Sequence, residues 1–237
     1  MTINTEKGAM EQISVLKDKG NELRLRVISA LVAIPAVIFV TYQGPPLFDV
    51  MVLMALFGLF KEWSQIPPLY STTPLYRFLL STGGYIYLSL SIFIMLILAK
   101  RGIEGRLLIL WLFCLVWATD IGAYFTGRFL KGPKLAPKIS PNKTWSGFVG
   151  GILGATIVTV ILEPYFKISP LFPTSPMLTA FILSVSAHMG DLLESYIKRR
   201  AGIKDSGNLI PGHGGLLDRL DSLLLVSLIT GLLLLLK

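Results

Sequence analysis

The sequence predicts an all-α, polytopic integral membrane protein of about seven to nine transmembrane helices. Three observations carry that expectation. The 237-residue chain is 53% hydrophobic and only 15% charged, with a mean hydropathy of +0.66, whereas a soluble domain has about a quarter of its residues charged. Apolar runs recur from residue 26 to the C-terminus. These runs are continuous, unlike the alternating segments of about ten residues that mark a transmembrane β-barrel.

Residues 1–25 are polar and carry Lys7, Lys17, Lys19 and Arg24. They lack the apolar stretch and cleavage site of a removable signal peptide, and read as a cytoplasmic N-terminal tail. Seven apolar stretches follow, at about 26–43, 47–62, 75–99, 106–129, 146–163, 175–197 and 215–236, each long enough or nearly so to cross a bilayer. The second is short and reads as a broken or tilted segment. The chain divides into N-terminal membrane helices over 26–105 and a membrane domain over 106–237 that carries both polar motif stretches. The lone Cys114 excludes an intrachain disulfide and a multi-cysteine metal site.

Positive charge sets the orientation. With the basic N-terminus inside, the ends of the second, fourth and sixth stretches also face the cytoplasm. They hold Lys61, "GRFLKGPKLAPKISPNKTW" and "KRRAGIKDSG". Lys100, Arg101 and Arg106 fall on the other side, so either the rule is broken there or a further segment lies between 47 and 106, where Gly83-Gly84 leaves room for a break.

Both polar stretches abut helix ends. Between Arg128 and Lys143 there are five basic residues and no acidic one, a pattern that often serves only to bind lipid headgroups and fix topology. Here Pro133, Pro137 and Pro141 stiffen the backbone. "ISPNKTWSG" reads as a helix start with Thr144 at the N-cap, bringing Ser140, Asn142 and Lys143 to a helix N-terminus that favours phosphate. Upstream, Asp120, Tyr124 and Arg128 share a helical face. A carboxylate within membrane-depth sequence either pairs with Arg128 or a lysine, or faces a polar cavity.

The second stretch is "HMGDLLESYIKRRAGIKDSGNLIPGHGGLLDRLD". Asp191, Ser195 and Lys198 share a helical stripe with Glu194 close to it. Glycines and a proline keep "GIKDSGNLIPGHGG" out of regular helix. A last helix starting near Gly215 puts Asp218 and Asp221 one turn apart on one face. Carboxylates mixed with lysines and arginines at a membrane surface suit a nucleotide held through Mg2+, which takes one or two carboxylates plus phosphate oxygens. Phosphoryl-type transfer needs mainly positioning and charge neutralisation. His213, with no second histidine nearby, is a poor zinc ligand.

The run "SYIKRRAGIKDSGNLIPGHGGLLDRLD", Ser195 to Asp221, resembles the signature of the bacterial phosphatidate cytidylyltransferases, or CDP-diacylglycerol synthases. Its Ser, Lys-Arg, Lys-Asp, His-Gly-Gly and Asp-Arg-x-Asp elements stand at the family's spacing. "DIGAYFTGR…KISPNKTWSG" resembles the family's second characteristic stretch, and the likeness is good over roughly 110–237. The chain departs from the family at Ser146, where Glu is usual, and at His188, where Gln is common. The resemblance implies transfer of CMP from CTP to phosphatidate, giving CDP-diacylglycerol and pyrophosphate. It implies Mg2+, with a second, monovalent cation open beside it, a bacterial inner-membrane location and a site facing the cytoplasm. It makes Asp191 and Asp218 metal ligands, with Asp221 and Asp205 in the same acidic centre. It assigns Lys198, Arg199, Lys204 and Arg219 to the triphosphate and the phosphatidate headgroup. Ser140, Asn142, Lys143 and Asp120 complete the polar cavity, while His213, Gly214 and Gly215 let backbone approach phosphate. The partners implied are CTP, phosphatidate and the bilayer, with a homodimer open and no nucleic acid. A CTP-dependent polyprenol or lipid kinase is the nearest alternative. A transporter would instead spread its buried charges across membrane depth.

Overall fold

A computed structural model describes residues 29, 31–70, 72–207, 209 and 214–236. The N-terminal tail and His213 lie outside these residues. The elements in order are helices α1 (Leu31–Gln43), α2 (Leu47–Trp63), α3 (Ile66–Tyr70), α4 (Pro74–Lys100) and α5 (Gly102–Phe129), then a hairpin of β1 (Lys134–Ala136) and β2 (Ser140–Thr144). Helices α6 (Trp145–Phe166), α7 (Pro176–Arg200) and α8 (Leu217–Leu235) complete the chain.

Each of the seven apolar stretches becomes one helix. Helices α4, α5, α6 and α7 are long and apolar enough to cross a membrane by length and composition. Helices α1 and α2 are shorter, and α8 carries Asp218, Arg219 and Asp221 in its first turns. The lateral surface is apolar: Phe57, Phe129 and Tyr165 are about three-quarters exposed, and in α6 only 28% of the apolar window is buried. In lipid such side chains incur no hydrophobic penalty, and a helix satisfies its backbone internally.

What drives the helices together is therefore close packing. Helices α5 and α6 meet through small residues, as membrane helices do. A Cβ on Gly122 would stand 2.5 Å from the Gly150 carbonyl oxygen, and one on Gly154 2.7 Å from that of Ala118. The buried core runs through the whole bundle, from Phe48 and Leu88 through Trp111, Leu112 and Leu183 to Leu224. Trp111 Nε1 donates to Thr159 Oγ1 at 3.2 Å, joining α5 to α6 with no orphaned indole.

Helix α4 passes unbroken through Gly83-Gly84, so among the described residues between 47 and 106 the break that pair suggests does not divide it into two segments. A Cβ on Gly84 would overlap the Trp63 ring, which explains that glycine as a seat for a side chain. Lys100, Arg101 and Arg106 do fall at the opposite end from the other basic clusters. Arg106 Nη1 donates to the carbonyls of Tyr42 and Gln43, both at 2.7 Å, closing the C-terminus of α1, where a cation also suits the helix dipole.

Candidate functional site

The ends of α2, α5 and α7 and the starts of α6 and α8 gather at one end of the bundle. Thr144 caps α6 as its sequence predicts: its backbone is extended, and Oγ1 accepts from Gly147 N at 3.1 Å. The residues before it form β2, so "SPNKT" enters the helix from a hairpin. Ser146 Oγ, at a position that departs from the related signature, donates to the Lys131 carbonyl and ties the helix start to the loop. Arg199, at the end of α7, donates to the Ile139 carbonyl at 3.4 Å and to the Ile203 carbonyl at 3.0 Å, so it braces the hairpin against α7.

Two adjoining cavities open between these elements. One, of about 590 Å³, is lined by Tyr124, Arg128, Asn142, Lys143, His188 and other residues of the α5–hairpin–α6 side. The other, of about 440 Å³, lies against α1 and is lined by Ile34, Phe113, Trp117, Lys198, Asp218, Arg219 and Asp221, among others. Asp120 and Asp191 line both, forming the wall they share. The first cavity sets two cations, Arg128 and Lys143, against those two carboxylates. The second combines acidic and basic groups with an apolar side.

Across this wall Lys143 Nζ pairs with Asp191 Oδ2, and Ser195 Oγ donates to Asp191 Oδ1 at 3.3 Å. Tyr124 does not bring Arg128 to Asp120. Arg128 instead donates to the Tyr124 hydroxyl at 2.5 Å and lies 5.8 Å from that ring's centroid. Asp120 is thereby left facing the cavities.

Lys198 is buried, 2.5 Å from Asp218 Oδ1 and 3.2 Å from Glu194 Oε1. Asp218 also accepts from Ser206 N at 3.0 Å and Gly215 N at 2.9 Å. Ser206 N also reaches Asp218 Oδ1 at 3.2 Å, so three donors make four contacts on this carboxylate. Asp221 stands one turn on, beside Glu194, whose oxygens are buried without a well-oriented donor. Among the described residues no three His, Cys, Asp or Glu side chains are grouped so as to hold a metal ion by themselves. The cavity against α1 is lined by the carboxylates of Asp120, Asp191, Asp218 and Asp221, hard oxygen donors of the kind Mg2+ takes one or two of, beside phosphate oxygens.

Several residues singled out in the sequence lie apart. Lys204 and Asp205 are exposed on the loop after α7 and line neither cavity. Ser140 is half-buried in the hairpin and outside the cavity walls. Gly214 takes a positive φ of 86°, which glycine adopts freely. Gly215 approaches protein rather than open space: a Cβ there would stand 2.7 Å from Glu62 Oε2. Helix α8 starts at Leu217 instead of Gly215 because the preceding backbone is held by Asp218 and Glu62.

Sequence reasoning missed Glu62. It is 2% exposed and accepts hydrogen bonds from Ser206 Oγ, Leu216 N and Leu217 N. Its only signal is a glutamate in the last turn of an apolar helix, where the helix dipole disfavours it.

The cytidylyltransferase family model matches residues 69–236. A phosphatidate cytidylyltransferase of Rickettsia bellii is 38% identical over 222 residues, covering 92% of each chain. That of Rickettsia conorii is 37% identical over 230 residues, covering 95% of this chain and 96% of the relative. That of Brucella suis is 49% identical over 143 residues, 60% of this chain and 50% of the relative.

Proposed function

Because this chain belongs to the cytidylyltransferase family, we propose that it transfers CMP from CTP to phosphatidate, giving CDP-diacylglycerol and pyrophosphate for phospholipid synthesis. The observation that carries this reading is the pair of cavities sharing Asp120 and Asp191. The nucleotide occupies the larger cavity, where Lys143 and Arg128 offset triphosphate charge and Asn142 supplies hydrogen bonds. The phosphatidate headgroup occupies the cavity against α1, with Lys198 and Arg219 as its cations and the apolar side meeting its acyl chains. The site end of the bundle faces the cytoplasm of the bacterial inner membrane, in accord with the basic residues concentrated there.

At the shared wall a phosphatidate oxygen attacks the α-phosphorus of CTP. The bond from that phosphorus to the bridging oxygen of the β-phosphate breaks, and pyrophosphate leaves. The attacking phosphate monoester is already ionised at pH 7, so the chain need supply no general base. Its residues bind and orient the two anions, holding the reacting atoms in line. Lys198 is held by Glu194 and Asp218 with its ammonium facing the cavity, and Lys143 is held likewise by Asp191. Asp191, Asp218 and Asp221 would hold Mg2+, which when bound neutralises charge on the phosphates and favours pyrophosphate departure.

The test is incubation of purified protein with phosphatidate, Mg2+ and CTP labelled at the α-phosphate. Label is expected in the lipid. Label in CDP, with lipid phosphorylated instead, would replace CMP transfer by kinase chemistry.

A further inference from the structure

We propose that Glu62 is a positioning residue, latching the loop between α7 and α8 so that the start of α8 presents Asp218 and Asp221 to the reacting phosphates. This inference rests on the proposed CMP transfer, and it concerns a residue outside the region matched by the family model.

The carboxylate sits in the last turn of α2, where its own helix dipole opposes it, and it is almost completely buried. Burying such a charge is costly unless it is compensated. The compensation comes from roughly the other end of the chain. Leu216 N donates to Oε1 at 2.8 Å, Leu217 N to Oε2 at 2.8 Å, and Ser206 Oγ to Oε2 at 3.0 Å. Helix α8 has no N-cap side chain of its own, with Leu216 at that position. Glu62 thus does for α8 what an N-cap does locally, satisfying first-turn N–H groups that would otherwise be orphaned.

The latch connects directly to the site. Ser206 uses its hydroxyl on Glu62 and its backbone N–H on Asp218, so one residue joins the two carboxylates. Asp218 in turn holds Lys198. The loop closes tightly around Glu62: a Cβ on Gly207 would lie 2.9 Å from Oε1, and one on Gly215 2.7 Å from Oε2. Two glycines of the signature stretch are therefore shaped by a side chain from α2. Loss of the carboxylate would free the first turn of α8 and the loop together.

The experiment compares full-length wild type with Glu62→Ala, Glu62→Gln and Ser206→Ala in detergent. It measures kcat and KM for both substrates, and tryptic cleavage after Lys204 relative to Lys138 in the exposed hairpin. For Glu62→Ala, kcat is expected to fall about 10²-fold, the size of effect a small misplacement produces. KM should move less, and cleavage at Lys204 should rise selectively. Glu62→Gln keeps one acceptor oxygen but turns an amide donor on a backbone N–H, so its loss should be intermediate. Ser206→Ala removes one hydrogen bond and should show the smallest shift in both readouts. Wild-type cleavage at Lys204 in Glu62→Ala overturns the latch, as does activity lost only in proportion to folded protein. If Glu62→Ala yields no folded protein, wild-type values in both Glu62→Gln and Ser206→Ala overturn it equally. A wild type that forms no CDP-lipid defeats the proposed reaction, while the cleavage ratio still judges the latch.

Discussion

The two ends of the helical bundle both carry charges of each sign and put them to different use. At the end away from the cavities, Arg106 closes the carbonyls of α1. There too, Glu163 accepts from Ile168 N at 3.1 Å and Ser169 N at 2.9 Å, finishing the turn after α6. Those charges end on neighbouring backbone. At the other end Asp120, Asp191, Lys198 and Asp221 face open volume, and Glu194 is buried without a well-oriented donor. A charged residue by itself therefore does not mark a site in this protein. The mark is whether charged side chains line open volume or end on neighbouring backbone.

That contrast can be broken by substitution. The largest effect is expected for Asp191→Asn or Asp221→Asn, which should lower kcat on the order of 10³-fold while the detergent thermal melt shifts little. Activity retained in both would remove these carboxylates from the reaction. Next comes Lys198→Met, which leaves Glu194 and Asp218 without their shared cation. Activity should be lost, along with about 3–5 kcal/mol of stability. Glu194→Gln added to it should restore part of the melt but not the activity. Lys143→Ala should raise KM for CTP about tenfold, with KM for phosphatidate nearly unchanged; equal shifts in both would dissolve the division between the cavities. The smallest effect on chemistry is expected for Arg106→Ala at the opposite end. It should cost about 1–3 kcal/mol of stability and leave CMP transfer per folded molecule at the wild-type level. A chelator series sharpens the same division, since removal of divalent cations should stop CMP transfer without altering the melt of the Arg106 end.

The helices were legible because a membrane helix announces itself in one dimension, through length and apolarity. Thr144 was legible because an N-cap is local: the residue, the extended backbone and the accepting oxygen lie within three positions. The pairing of Lys198 with Asp218 was not, since helical spacing puts Lys198 on a stripe with Asp191 but says nothing of which helix crosses opposite. Arg199 shows the same gap. The resemblance assigns it to phosphate, and nothing in its sequence neighbourhood signals that its guanidinium also reaches the hairpin backbone 60 residues away. Glu62 was least visible, being a single acidic residue whose partners lie 144 to 155 positions along the chain. Gly83-Gly84 misled in the other direction, since the pair resembles a helix break but lies within an unbroken helix, where Gly84 is a notch for Trp63.

The wall formed by Asp120 and Asp191 has a kinetic consequence. Under the proposed occupancy one substrate stands on each side of it, so neither chamber alone assembles a reactive pair. Initial-rate plots against CTP at several phosphatidate levels should then intersect rather than run parallel. Exchange of labelled pyrophosphate into CTP should wait on the lipid.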